Sequence, residues 1–159
     1  MAPLVWGALA GIPGLLVYRA VNTLDAMVGH RSPRYERFGW AAARLDDVAN
    51  WLPARITAAL TVLCAPVAGG SARGALRAWL RDGASHPSPN SGRCEAAAAG
   101  ALGVQLGGRN VYGTRVEDRP TMGDGRPPVR ADVARAVALS RAVWTTSAGL
   151  AATARLLRR

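Results

Sequence analysis

Hydrophobic positions divide the chain into three apolar stretches separated by two polar ones. Residues 2–18, APLVWGALAGIPGLLVY, carry no charge, and neither does ITAALTVLCAPVAGG, residues 56–70. Trp51 and Leu52 extend the second stretch to residues 51–70, with Pro66 expected to break or kink its far end. In the third, residues 132–157, Val133, Val137, Ser140, Trp144, Ser147 and Ala151 recur at helical spacing, and Arg155, Arg158 and Arg159 suit the negative end of a helix dipole. Each stretch predicts a helix.

The polar residues of the first intervening region, 19–50, are periodic too. A helix over residues 15–29 sets Arg19, Asn22 and Asp25 at three-residue steps on one face. A turn carrying Gly29, Ser32 and Pro33 leads to a second helix from about residue 36 to residue 51. Its apolar stripe is Phe38, Ala41, Leu45, Val48 and Leu52. Opposite lie Ala43, Asp46, Asp47 and Asn50, with Arg44 at their edge. Adjoining helices thus carry two stripes of acids, amides and guanidinium groups, and the expectation is a pocket between them for a phosphorylated or carboxylated ligand.

The second polar region, 81–130, is irregular. Arg81-Asp82-Gly83 ends a short helix, and the two prolines of His86-Pro87-Ser88-Pro89-Asn90-Ser91-Gly92 forbid helix and preset turns. EAAAAGALGVQL, residues 95–106, predicts an Ala-rich helix in which Ala96/Gly100 and Ala99/Gly103 permit tight packing. Gly107-Gly108-Arg109-Asn110-Val111-Tyr112-Gly113 and Gly123-Asp124-Gly125 read as turns. Backbone N–H groups in such turns can cradle a phosphate, though most glycine turns only turn.

Composition narrows the classes. A chain of 159 residues is long enough for one domain with a real core, residues 1–159. β-branched and aromatic runs are scarce, so the fold class is all-α. The net charge of +10 would ordinarily suggest nucleic acid, but the 20 basic residues are all arginine and scattered, without a basic run or interleaved aromatics, so no nucleic-acid partner is expected. Without lysine neither a Walker A loop nor a Schiff base can form. Cys64, Cys94, His30 and His86 lack metal-ligand spacing, and the lone cysteines imply no disulfide framework.

Ala, Gly and Ser fill the apolar stretches and let helices approach where no hydrophobic effect operates between them. The favoured architecture is therefore a multi-helix integral membrane protein, multi-pass in the cell (inner) membrane, with an irregular Gly/Pro-rich polar region. Burial of the same helices in a soluble bundle is the alternative. Arginines in residues 19–44, in residues 73–135 and at the C-terminus leave the positive-inside rule no asymmetry to read.

The ordered motifs YRAVNTLDAMVGHR, RYERFGWAAARLDDVANWLPARIT, HPSPNSGRCEAAAAGALGVQLGGRNVYG and GDGRP resemble the CobD/CbiB family of cobalamin biosynthesis, the adenosylcobinamide-phosphate synthases, over roughly residues 2–140. The resemblance is to the C-terminal half of multi-pass membrane proteins about twice this long. It implies an amide-forming ligase that joins adenosylcobyric acid, through a propionate of the corrin, to aminopropanol phosphate (or aminopropanol). Amide formation from a carboxylate implies activation by ATP and Mg²⁺.

On that resemblance, Asp46, Asp47, Asn22, Asp25 and Glu95 are the catalytic candidates. Asp46 with Asp47, or Asp25, would hold Mg²⁺, and Glu95 would serve as base for the incoming amine. Arg19 and Arg44 would clamp phosphate, while Asn22, Asn50 and Asn90 would orient amides or carboxylates of the corrinoid. Gly107, Gly108 and Tyr112 complete the candidate binding set. Tyr112, Trp40 and Trp51 could pack on the corrin, although interfacial anchoring explains the tryptophans equally well. Simpler roles stand beside these: a solvated face with an Arg44 ion pair for Asp46 and Asp47, and helix-dipole stabilisation for Glu95. The implied partners are the corrinoid and amino-alcohol phosphate substrates, the lipid bilayer, and an N-terminal half or second chain. A non-catalytic membrane module and an inactive remnant of the family are the competing readings.

Overall fold

A proline inside a helix leaves the carbonyl four residues earlier without its donor. In the computed structural model, which describes residues 1–29, 37–113 and 115–157, Pro53 lies inside one continuous helix, α2 (Gly39–Cys64). The carbonyl it orphans, that of Ala49, accepts instead from the indole Nε1 of Trp6 at 3.0 Å. A single helix therefore replaces the expected pair, one ending near residue 51 and an apolar one starting there. It ends where Pro66 was expected to interfere, passing into a 3-10 turn, Ala65–Ala68. The expected turn at Ser32 and Pro33, and the helix start at Glu36, lie outside the described residues.

Before α2 comes α1 (Ala2–Leu24), bent where Gly11 adopts φ 67° and ψ −152°, with Pro13 just beyond. A π-helical turn, Asp25–Gly29, follows. After α2 come α3 (Ala72–Asp82), α4 (Ser91–Leu102), the strands β1 (Leu106–Tyr112) and β2 (Arg115–Met122), and α5 (Arg130–Leu156). The backbone divides into two compact units, Met1–Pro53 with Thr146–Arg159, and Ala54–Thr145.

The strands correct the all-α expectation. They form an antiparallel hairpin with Val111 opposite Val116 and a bulge between Leu106 and Gly108. Nothing in the hydropathy pattern announced it, because Val111 and Val116 remain 65% and 46% exposed; without a buried face there is no alternation to read. The Gly107-Gly108 segment, read as a turn, lies within β1. Both residues have positive φ, and a side chain at Gly107 would run into the Pro120 carbonyl, so this pair serves strand pairing.

In the unit Ala54–Thr145, small residues bring backbones together. Ala75, Ala78, Ala96, Ala97, Ala99 and Ala101 are nearly or fully buried. A Cβ on Gly100 would collide with the Gly74 carbonyl, and one on Gly74 would sit 2.6 Å from the Gly100 carbonyl. Arginine ties the helix ends: Arg135 donates to the carbonyls of Leu102 at 2.9 Å and Ala68 at 3.2 Å. Its own position is set by Asp132, which accepts from Arg135, from Arg126 through both oxygens, and from the Val129 N–H. Asp82 makes a comparable join, taking Arg81 bidentately and the Gly123 N–H at 2.8 Å.

Two helical stretches among the described residues, Ala2–Gly29 and Gly39–Ala68, are long and apolar enough to cross a membrane. Their large apolar side chains point outward, with Ile12, Val48 and Leu63 each more than 70% exposed. The third apolar stretch does form a helix, α5, but Arg135, Arg141 and Arg155 interrupt it, and it falls short of membrane hydropathy.

Two predictions follow from packing and charge. Alanine is favoured over glycine inside a helix by about 1 kcal/mol, so Gly149→Ala, at a position with nothing nearby, will stabilise the protein by up to about that amount. Gly100→Ala will instead destabilise it by about 1–3 kcal/mol through overlap with Gly74, and unfolding in detergent by graded denaturant reads both signs. Asp82 and Asp132 are held below the usual carboxylate range chiefly by Arg81 and Arg126 respectively. A depressed folded value means that this stability is present above the unfolded value near pH 4 and is lost as pH falls through the folded one. The melting temperature will therefore hold steady from pH 7 to about 5 and drop below about 4, less steeply in Asp132→Asn.

Candidate functional site

Two helices that each present polar groups four residues apart can meet as a ladder. On α1 those groups are Tyr18 and Asn22; on α2 they are Asp46 and Asn50. Asn22 Nδ2 donates to Asp46 Oδ1 at 3.2 Å, and Asn50 Nδ2 donates to Asp46 Oδ2 at 2.9 Å. Asn50 Nδ2 also reaches the Asp46 carbonyl at 3.0 Å, and its Oδ1 accepts from the Tyr18 hydroxyl at 3.0 Å. Both carboxylate oxygens of Asp46 thus accept from amides. The structure brings together Asn22, Asp46 and Asn50 of the predicted residues. Tyr18, buried beside them, was missed, although its four-residue spacing to Asn22 was the available signal.

The remaining predicted residues of these helices part company. Asp47 faces Arg44 at 3.7 Å, an exposed ion pair of little energetic weight, and the Arg44 guanidinium lies 6.0 Å from the Trp40 ring centre. Asp46 and Asp47 engage different partners, the amides of Asn22 and Asn50 for the first and the Arg44 guanidinium for the second. Among the described residues no three His, Cys, Asp or Glu side chains converge as a metal site. Asp25 opens the π-helical turn, and its carboxylate lies against Gly29. Arg19 is exposed. Beside the ladder, Trp6, Pro13, Val17, Tyr18, Leu45 and Val48 line an apolar groove of about 490 Å³.

A second cluster lies in the other unit, where the HPSPNSG loop feeds α4. Ser88 Oγ accepts the N–H groups of Asn90 and Ser91, at 3.4 and 3.2 Å. The Ser88 N–H donates to His86 Nδ1 at 3.0 Å, which places the imidazole proton on Nε2 in the neutral ring. That nitrogen lies 4.0 Å from Glu95 Oε1, to which Ser91 Oγ also donates. Glu95 is thus oriented from two sides, while its side chain stays 39% exposed. Asn90, itself buried, accepts at Oδ1 from Arg55 Nη1 at 2.7 Å. Burial, then the Glu95 charge, pushes the Cys94 thiol above its ordinary value, so it stays protonated at neutral pH.

Gly107, Gly108 and Tyr112 lie in the hairpin; the Tyr112 side chain is outside the described part. Gly123 gives its N–H to Asp82, which occupies the second glycine turn with structural bonding. Arg55, Arg93, His86 and Ser91 escaped the sequence reading as site residues, since their partners lie on other elements or, for His86 and Ser91, only take shape once the loop folds.

A family model described as CobD/Cbib protein matches residues 1–140. The Cobalamin biosynthesis protein CobD of Mycobacterium tuberculosis (strain ATCC 25618 / H37Rv) is 62% identical over 151 residues, 95% of this chain and 48% of that protein. The protein of the same name from Geobacter metallireducens is 58% identical over 131 residues, covering 82% of the chain and 41% of the relative. That of Rhodobacter capsulatus is 51% identical, covering 89% and 44%. The chain spans about half the length of these curated relatives. No solved structure matches it.

The ladder makes a measurable prediction about coupling. Asn50→Ala leaves the Tyr18 hydroxyl and one Asp46 oxygen without their partner, at a cost of about 1–3 kcal/mol. In the Tyr18→Phe background the same substitution will cost less, and a double-mutant cycle on detergent-solubilised protein measures the difference.

Proposed function

The chain belongs to the CobD/CbiB family of cobalamin biosynthesis, and on that premise we propose that it forms part of a membrane-bound synthase that makes an amide bond. The substrates are a corrinoid carboxylate, adenosylcobyric acid, and aminopropanol phosphate or aminopropanol. The product is adenosylcobinamide phosphate or adenosylcobinamide. The observation that carries the reading is the inward ladder of Asn22, Asp46, Asn50 and Tyr18 between two helices of membrane-spanning length. Ionisable groups are costly at membrane depth and usually have a purpose there.

The chemistry assigns roles to the residues. A carboxylate does not condense with an amine in water, so it must first be activated; Mg²⁺-bound ATP would give the carboxylate its terminal phosphoryl group, leaving ADP, and the amine would then displace phosphate from the acyl carbon. Asp46, as one carboxylate beside phosphate oxygens and water, suits Mg²⁺; Asn22 and Asn50 hold it in orientation. The amine is an ammonium ion in water and must lose a proton before it attacks. Glu95, half-exposed and fixed by Ser91 and His86, is the base proposed for that proton. Arg19 and Asn90 would bind substrate phosphate and amide groups. The enzyme works in the cell membrane as a multi-pass protein, with the portion that the relatives carry beyond this half completing the site.

A second reading has its own support. Every polar group of the ladder already has a partner within the protein, which is what a helix-assembly device requires. Substitution separates the two. In a full-length protein carrying this half, Asp46→Asn and Asn22→Ala will abolish cobinamide formation while membrane accumulation stays normal. Activity retained in both variants would remove these residues from the site, and loss of membrane accumulation would favour assembly.

A further inference from the structure

We propose that Arg55, Asn90 and Arg93 form a binding site for the phosphate of a small amino-alcohol phosphate at the start of α4. The identity of the ligand rests on the amide-forming reading above; the presence of an anion site does not. Arg55 reaches Asn90 Oδ1 at 2.7 Å, and the Arg55 and Arg93 guanidinium groups lie near enough to repel each other. Arg93 Nε is enclosed and donates to nothing among the described residues. An enclosed N–H of a cation without an acceptor is costly, and a second cation beside it adds to the cost. An anion between them removes both penalties.

Among the described residues, Asp82 and Glu95 do not supply that anion. Asp82 is taken by Arg81 and the Gly123 N–H. Glu95 receives Ser91 and faces His86. Asn90 occupies the N-cap position of α4, yet its side chain makes no capping bond; its carbonyl oxygen is turned to Arg55. The positive end of a twelve-residue helix therefore adds to the field of the two guanidinium groups. Forked donors from two arginines match the several oxygens of a phosphate better than a lone carboxylate.

The purified chain in detergent, titrated with ethanolamine phosphate in a calorimeter, tests the site. Saturable binding is expected, with Arg55→Gln and Arg93→Gln each weakening it at least tenfold and Arg93→Lys weakening it less. Arg73→Gln, an exposed control, will change it by less than twofold. Circular-dichroism melts identify variants that do not fold. For those, phenylglyoxal modification of the unmutated protein replaces mutation: ethanolamine phosphate should protect the Arg93 peptide. Absence of binding, unchanged affinity in folded variants, or no protection overturns the site. Phosphatidylglycerol vesicles form the second arm. If only vesicles protect Arg93, the phosphate is a lipid headgroup and the amino-alcohol assignment falls. Arginine-dependent binding by this chain, together with a full-length protein carrying this half that makes no cobinamide, upholds the site and defeats the amide-forming reading, so the two failures are distinguishable.

Discussion

Backbone contact between α3 and α4 is the constraint on which the unit Ala54–Thr145 rests. Gly74 and Gly100 lie so close that each excludes a side chain on the other. At that distance dispersion between backbones and methyl groups replaces interdigitating large side chains. The buried hydrophobic positions of α3 and α4 are accordingly alanine at every place but Leu102. Such an interface is thin, and it leaves helix ends facing one another with carbonyls to satisfy. Arg135 and Asp132 meet that need, and their bonds hold the end of α4 against the 3-10 turn. The start of α4, with Asn90, Glu95 and Arg93, inherits its placement from the same contact.

The unit Met1–Pro53 with Thr146–Arg159 follows another logic. Its ladder groups turn inward, and many of its large apolar side chains turn outward. Phe38, Leu45, Val48 and Leu52, the stripe that periodicity marks as the face to bury, are all exposed. Periodicity identifies that a helix has two faces, but which of them faces protein depends on the solvent around it. Where the surroundings are apolar, the amides and the carboxylate gain most from meeting each other, and the Asn22–Asp46–Asn50–Tyr18 ladder is the result. Pro53 shows the same economy of donors, since the indole of Trp6 restores the bond that the proline ring removes.

Much of the candidate site was legible because helical spacing is local. Asn22, Asp46 and Asn50 could be placed on facing stripes from their positions alone, and they do meet. Asp25 and Asp47 had the same standing by spacing and do not join them. The first lies against Gly29, and Arg44 engages the second. The hairpin left no trace, since its valines stay exposed and its glycines, Arg109 and Pro120 have poor strand propensity. Arg55 and Arg93 stand 38 positions apart, and no period connects them.

By itself the sequence determined the helices, the small-residue interiors, the polar stripe and the family likeness, because each is written in neighbouring residues or in ordered motifs. Only the tertiary structure decided which acid each arginine or amide would meet, that residues 106–122 pair as strands, and that α2 runs unbroken through Pro53. Those outcomes depend on donors and acceptors supplied by distant segments, and no local pattern encodes where a distant partner will stand.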